Sequence, residues 1–125
     1  MNFSHDTELT LRAAAALVNS DRVGGEHLAD QPALDDYLRA WGWTGRRDRD
    51  AEELAAVHRL RARIGRIWAG ANDKGGEERT VGQVNALLGD TRAAPWLTRH
   101  PEMPDWHLHL ASTDDPLARR MGAEM

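Results

Sequence analysis

The stretch from Ala51 to Ala69 has the strongest periodic pattern in the chain, and it limits the fold more than any other feature. Its apolar residues recur at helical spacing: Leu54, Val57, Leu60, Ile64, Ile67 and Trp68. This stripe predicts a long amphipathic helix with one buried face. Asp50 precedes the run and can cap its first turn. Because the apolar face must be covered, the chain has to supply further elements that pack on this helix.

Four shorter helices are predicted around the long one, over residues 7–19, 31–42, 80–89 and 115–125. Their starts follow from residues that cap helices or suit a first turn: Thr7, Asp30, Thr80, and Asp114 and Asp115 before Pro116. Gly42 is expected to end the second of the five predicted helices.

The period changes near the C-terminal end of the chain. Residues 95–111 contain two short apolar runs, WLT and WHLHL, on either side of the turn sequence HPEMPD. This arrangement predicts an antiparallel β-hairpin. The expected fold class is mainly α (α+β), a helical bundle of four to five helices with one antiparallel β-hairpin near the C-terminal end. We expect residues 1–125 to form a single globular domain.

The hairpin histidines allow two interpretations. His107 and His109 lie on the same face of a strand, because alternate residues share a face. We favour the interpretation in which the histidines face water and the apolar residues pack on the helices, namely Trp106, Leu108 and Leu110. In the alternative, His100, His107 and His109 bind a metal ion such as zinc.

Composition limits the classes of function. The formal net charge is −4, whereas domains that bind DNA through its phosphates are usually basic. The chain has no cysteine, which excludes disulfides and thiolate zinc sites within these residues. Its first residues, MNFSHDTELT, have neither the basic start nor the apolar run that is typical of a signal peptide. No stretch of these residues approaches the run of about 20 apolar residues that spans a membrane. We expect a cytoplasmic protein without membrane contact. It shows no phosphate-binding loop or nucleophile motif, so we expect no enzyme and no catalytic residues.

Five tryptophans come from separate parts of the chain, against one Phe and one Tyr. If several of them converge near an Arg or an Asn, they could form a pocket for a small organic molecule that bears a carboxylate. The candidate ligand-binding residues are Asn19, Arg61, Asn85, Trp96 and Trp106. Core filling by the tryptophans and bridging of helix ends by the asparagines are the alternative roles.

Several short motifs occur in a collinear order: ALVNS (residues 16–20), LAD (28–30), LRARI (60–64), VNALL (84–88) and WHL (106–108). Together they resemble the N-terminal, ABATE-type domain of bacterial CGNR zinc-finger proteins, a family of stress-induced transcription regulators. The chain departs from that pattern at Ala16 and Leu17, where family members often have Asp followed by an aromatic residue. The Cys-Gly-Asn-Arg zinc module of the family is absent from these residues, as in a truncated chain or a member without it.

The resemblance implies a regulatory domain that binds a ligand or a partner. It implies that DNA contact and zinc belong to the absent C-terminal module, and that this segment itself needs no cofactor. A small-molecule effector and a homodimer are the expected partners. The alternatives are a protein-interaction or dimerisation module without a small ligand, and a metal-dependent enzyme that uses the hairpin histidines.

Overall fold

The computed structural model of the chain describes residues 5–101 and 103–125, without the side chains of residues 5, 6, 100 and 103. Over these ranges the chain forms five helices and one antiparallel hairpin, which confirms the mainly α class with a hairpin near the C-terminal end. None of the helices in the described ranges is long and apolar enough to cross a membrane. In chain order the elements are α1 (His5–Asn19), α2 (Gln31–Ala40), α3 (Ala51–Gly70), α4 (Gly76–Thr91), β1 (Trp96–His100), β2 (Met103–His109) and α5 (Leu117–Glu124).

Helix α3 forms the centre of the bundle, because its apolar stripe is long enough to face several neighbours. It packs against α1, α4 and α5, and most of its predicted stripe is buried: Val57, Leu60, Ile64 and Ile67. Helix α5 approaches the bundle closely at Gly122. A Cβ at this position would lie 2.9 Å from Cγ2 of Thr91 and 3.3 Å from Cδ1 of Leu60. Any larger residue there would push α5 away from its neighbours.

The hydrophobic core combines side chains from all five helices. Its largest fully buried members come from α1, α2, α3 and α5: Leu17, Leu34, Val57, Leu117 and Met121. Leu87 brings α4 into the same cluster. A hydrogen bond of 2.7 Å from the phenol of Tyr37 to the carbonyl of Ala13 also joins α2 to α1, and burial raises the pKa of this phenol.

Two of the predicted helix starts are confirmed by side-chain caps. Asp30 accepts a hydrogen bond from the backbone N–H of Ala33 at 2.9 Å, and Asp50 accepts one from that of Glu53 at 2.8 Å. Each bond satisfies a donor that the first turn of a helix leaves without a partner. Gly42 follows the end of α2 with φ +73°, a conformation that glycine adopts without strain.

Three other predicted starts are wrong by a few residues. Thr7 lies inside α1 instead of capping it. Helix α4 begins at Gly76 and not at Thr80, because Gly75 takes φ +72° and leads the chain directly into the helix. Helix α5 begins at Leu117, so that the preceding proline is its cap and not its first residue. Helix α2 and the hairpin end one or two residues inside their predicted ranges.

The loop between α1 and α2 is held against α3 by an ion pair. Arg61, which is buried on α3, donates to both carboxylate oxygens of Glu26 at 2.8 and 2.6 Å, and to Oγ of Ser20 at 3.0 Å. The hydrogen bonds from Arg61 lower the pKa of Glu26 from its ordinary 4.5 to about 2, because they favour the ionised carboxylate. Nε2 of His58 adds a contact of 2.7 Å to the carbonyl of Leu28 in the same loop.

The hairpin has two faces of different composition. Its register pairs Trp96 with His109, Leu97 with Leu108, and Thr98 with His107. Since successive side chains of a strand alternate between faces, the two histidines share one face with Trp96 and Thr98. The leucines lie on the other face.

Replacing Glu26 by glutamine should destabilise the fold by about 1–2 kcal/mol at pH 7, because the buried Arg61 loses a charged partner. This value allows for the partial exposure of the Glu26 side chain, 36%. Folding lowers the pKa of Glu26, so the carboxylate stabilises the fold above pH 4.5, and this contribution is lost as the pH falls towards 2. Urea unfolding of the original chain and of Glu26→Gln measures the difference in their free energies of unfolding. This difference should be smaller at pH 3 than at pH 7.

The exposed pair of Glu8 and Arg12 provides a matched control, because its atoms are also 2.6 Å apart while its side chains are 53% and 66% exposed. Glu8→Gln should change the free energy of unfolding by less than about 0.5 kcal/mol. Equal losses in the two variants would contradict a special role for the pair with Arg61.

Candidate functional site

The hairpin turns its histidine face towards α5 and its leucine face towards solvent. Leu97, Trp106 and Leu108 are 63%, 64% and 59% exposed, whereas His107 and His109 are half-buried. The favoured interpretation, in which the apolar residues pack on the helices and the histidines face water, is therefore wrong. The alternation in sequence predicted two faces correctly, but polar contacts decide which of them is turned inwards.

These contacts come from the segment around α5. The indole N–H of Trp96 donates to the carbonyl of Ala111 at 3.0 Å. The carboxylate of Glu124 on α5 accepts the backbone N–H of Leu110 at 2.8 Å. The same oxygen lies 3.4 Å from Nδ1 of His109. Helix α5 therefore fixes the orientation of the hairpin.

A cavity of about 720 Å³ lies between the hairpin, the segment after α2, and α5. Trp43 and Trp96 form aromatic walls, and the polar side chains of His109, Arg120 and Glu124 also line it. Further lining residues are Gly42, Thr44, Thr98, Ala111 and Thr113. The volume and the mixture of aromatic surface with a few polar groups are typical of sites for small organic molecules.

Arg120 joins the parts of the chain that surround this cavity. Its buried guanidinium donates to the backbone carbonyls of Thr44 at 2.5 Å, Arg46 at 2.5 Å and Asp115 at 3.0 Å. One side chain on α5 thus holds the α2–α3 connection and the segment before α5. Burial lowers the pKa of Arg120, but an arginine keeps its proton at physiological pH. Within the described ranges, the three carbonyls use three of its five N–H donors.

The predicted ligand-binding residues do not come together in the described part of the chain. Trp96 lines the cavity, whereas Trp106 lies on the exposed face of the hairpin. Asn85 is exposed on α4. Asn19 and Arg61 lie along two other depressions, of about 710 and 460 Å³. Of the five candidates, Trp96 is therefore the one that this cavity contains.

Arg61 has a structural partner at the place where a ligand carboxylate would bind. Its guanidinium lies 2.6 Å from a carboxylate oxygen of Glu26 and 3.4 Å from one of Asp21. A planar guanidinium recognises a carboxylate through two parallel hydrogen bonds, and Glu26 already occupies this position. The geometry supports attachment of the loop between α1 and α2 as the role of Arg61.

The aromatic and charged side chains of the cavity include three that the sequence did not point to: Trp43, Arg120 and Glu124. One indirect signal was Gly45, which has φ +94° and whose added Cβ would lie 2.9 Å from the carbonyl oxygen of Thr113. A glycine two residues after a tryptophan is compatible with a turn that has a close neighbour, but the sequence does not say which segment that neighbour belongs to.

The predicted metal alternative includes His100, whose side chain lies outside the described residues. The rings of His107 and His109 lie side by side, with their centres 5.0 Å apart and their Nε2 atoms 3.1 Å apart. In the described ranges, no group of three or more His, Cys, Asp or Glu residues could hold a metal ion. A site built from three histidines stays a prediction.

The arginines at positions 46, 47 and 49 are neutralised by acids of the same chain. Asp35 receives two of them, and their hydrogen bonds, Arg49 first and then Arg47, lower its pKa. A cation that is already paired attracts phosphates less strongly, because its charge is partly compensated. The pairs are Arg46–Asp48, Arg47–Asp35, Arg47–Glu53 and Arg49–Asp35.

The sequence matches the model of the ABATE family, whose description is "Putative stress-induced transcription regulator", over residues 11–123. The matched range begins within α1 and includes every residue that lines the cavity except Glu124. A comparison with curated proteins found no match.

Replacing Arg120 by lysine should destabilise the fold by about 2–3 kcal/mol, because an ammonium group cannot reproduce the planar fork and leaves at least one of the three carbonyls without its donor. Urea unfolding at pH 7 measures the loss. Arg119→Lys is the matched control. Arg119 is the neighbouring residue, and its guanidinium lies 3.9 Å from the carboxylate of Asp115, with both side chains partly exposed. It should change the stability by less than about 0.5 kcal/mol. Similar values for the two variants would contradict the role given to Arg120.

Proposed function

The chain belongs to the ABATE family of stress-induced transcription regulators, and we propose that this domain binds the small effector molecule to which such a regulator responds. Membership of the family supports the regulatory role. The observation that carries the effector proposal is the cavity at which two tryptophans, a half-buried histidine and a buried arginine meet.

The lining favours a small planar molecule with a carboxylate group. The rings of Trp43 and Trp96 offer apolar surface to a flat ligand. The guanidinium of Arg120 brings a positive charge to the edge of the cavity, and arginine is well suited to bind carboxylates. Glu124 would oppose an anion, but its carboxylate faces the N–H of Leu110 and the ring of His109. These contacts reduce its repulsion on a ligand.

We propose that DNA contact comes from a CGNR-type zinc module that follows such a domain in a complete regulator. The support from this chain is electrostatic. Its formal net charge is −4, and the arginines of the α2–α3 connection are paired with acids. A surface of this kind gains little from the release of counterions around DNA. In this proposal zinc belongs to the DNA-binding module, and the protein acts in the cytoplasm.

Binding, and not turnover, is the proposed activity. The description of the family as a stress-induced transcription regulator supports this proposal.

Benzoate is a suitable probe, because it combines a flat ring with a carboxylate. At a concentration tenfold above its Kd, it should stabilise the native state by about 1.4 kcal/mol and raise Tm by roughly 5 °C. Benzamide has the same shape without the charge and should have a much smaller effect. Thermal unfolding with increasing benzoate, salicylate or indole-3-acetate measures the response.

Trp96→Leu should abolish most of the response to these acids, since it removes one aromatic wall. Trp68→Leu is the matched control, because Trp68 is 40% exposed and Trp96 is 42% exposed, while Trp68 lies on α3 outside the cavity. If all three acids leave Tm unchanged, or if benzamide acts as strongly as benzoate, the proposed carboxylate site is wrong.

A further inference from the structure

Three arginines line the depression of about 460 Å³ where the loop between α1 and α2 meets α3: Arg22 from the loop, and Arg61 and Arg66 from α3. They differ in their partners. The guanidinium of Arg61 faces the carboxylates of Glu26 and Asp21. Neither Arg22 nor Arg66 forms an ion pair with a side chain that the structure describes.

Most arginines of the described ranges do pair with an acid. On the same helix, Arg59 pairs with Glu52, and Arg63 with Asp90. An arginine without such a partner keeps its charge for an anion from outside the chain. The depression therefore has an excess of positive charge, although the formal net charge of the whole chain is −4.

Gly65 explains how Arg22 reaches the surface of α3. A glycine in the middle of a helix is less stable than an alanine, so its position calls for a physical reason. A Cβ on Gly65 would lie 3.1 Å from Nη2 of Arg22 and 3.7 Å from Cγ1 of Val18. The missing side chain thus leaves room for the guanidinium of Arg22, next to Arg66 in the sequence of α3.

The backbone of Arg22 is also held in place. Its N–H donates to the carbonyl of Asn19 at 3.1 Å, and the pair of Glu26 with Arg61 fixes the same loop on α3. Arg22 therefore starts from a fixed point, which reduces the entropy that binding would cost.

We propose that Arg22 and Arg66 bind the phosphate group of a small molecule in this depression. The planar fork of a guanidinium matches the oxygens of a phosphate, and a phosphate dianion can accept hydrogen bonds from two arginines. The volume lies within the range of small-molecule sites. Asp21 also lines the depression, but its carboxylate lies 3.4 Å from Nε of Arg61, which compensates its charge. The acidic chain as a whole makes duplex DNA a poorer partner.

Calorimetric titrations of the 125-residue chain with AMP and with inorganic phosphate test the proposal at pH 7.5, where a phosphate ester is largely a dianion. Both should bind at about one site per chain, and adenosine should not. Arg22→Gln and Arg66→Gln should each weaken the binding of AMP by about tenfold, because each removes hydrogen bonds between charged groups.

Arg92→Gln is the matched control. Arg92 is exposed at the end of α4, forms no ion pair with the described side chains and does not line the depression. It loses the same charge, and its affinity for AMP should stay within about twofold of the original chain.

Gly65→Ala tests the placement of Arg22 without changing any charge. The added methyl group should displace the guanidinium and weaken the binding of AMP by about threefold or more, while alanine favours the helix. Thermal unfolding of each variant confirms that it is folded.

The proposal is overturned if neither AMP nor inorganic phosphate binds, or if adenosine binds as well as AMP. Equal affinities for AMP in Arg22→Gln, Arg66→Gln and Arg92→Gln would also overturn it. A 20-base-pair duplex that binds more tightly than AMP through the same two arginines would assign them to DNA instead. Trp96→Leu should leave the binding of AMP unchanged, since Trp96 lines the other cavity; a loss would place AMP there and contradict the proposal. The outcome is independent of the response to benzoate.

Discussion

The buried guanidinium of Arg120 is the interaction on which the candidate site depends. Its three hydrogen bonds to backbone carbonyls hold the α2–α3 connection and the segment before α5 in fixed positions. The same short helix carries Glu124, which orients the hairpin. Leu117 and Met121 fix this helix in the hydrophobic core. The two walls of the cavity are therefore set by one element that is itself anchored in the core, and this gives the site a rigid frame.

The helical part of the fold could be predicted from local patterns. The apolar period of α3 indicates a long amphipathic helix, and Asp30 and Asp50 mark helix starts because their side chains accept backbone N–H groups of the first turn. The start of α4 at Gly76 differs from the predicted start at Thr80, because neighbouring glycines in a polar stretch usually indicate a turn and not a helix. A Cβ at Gly76 would collide with the carbonyl oxygen of Gly70, so the glycine is needed where the chain passes close to α3.

The types of residue in the candidate site could be predicted from the sequence, but most of their positions could not. Convergence of a tryptophan with an arginine was expected, but the sequence pointed to Arg61, whose donors are taken by Glu26, and not to Arg120. Both are arginines on amphipathic helices, and only tertiary contacts distinguish them. The predicted orientation of the hairpin is wrong for a related reason. Alternation defines two faces, while contacts with residues far along the chain, such as Glu124, decide which face is inside.

The central claim is that the tryptophans are divided between a ligand site and other surfaces. The indole N–H signals of a ¹⁵N-labelled sample report on all five of them separately during a titration with benzoate. The account predicts that the signals of Trp43 and Trp96 shift together and saturate, while those of Trp68 and Trp106 stay in place. Shifts centred on Trp106, or none at Trp43 and Trp96 at saturating benzoate, would contradict it.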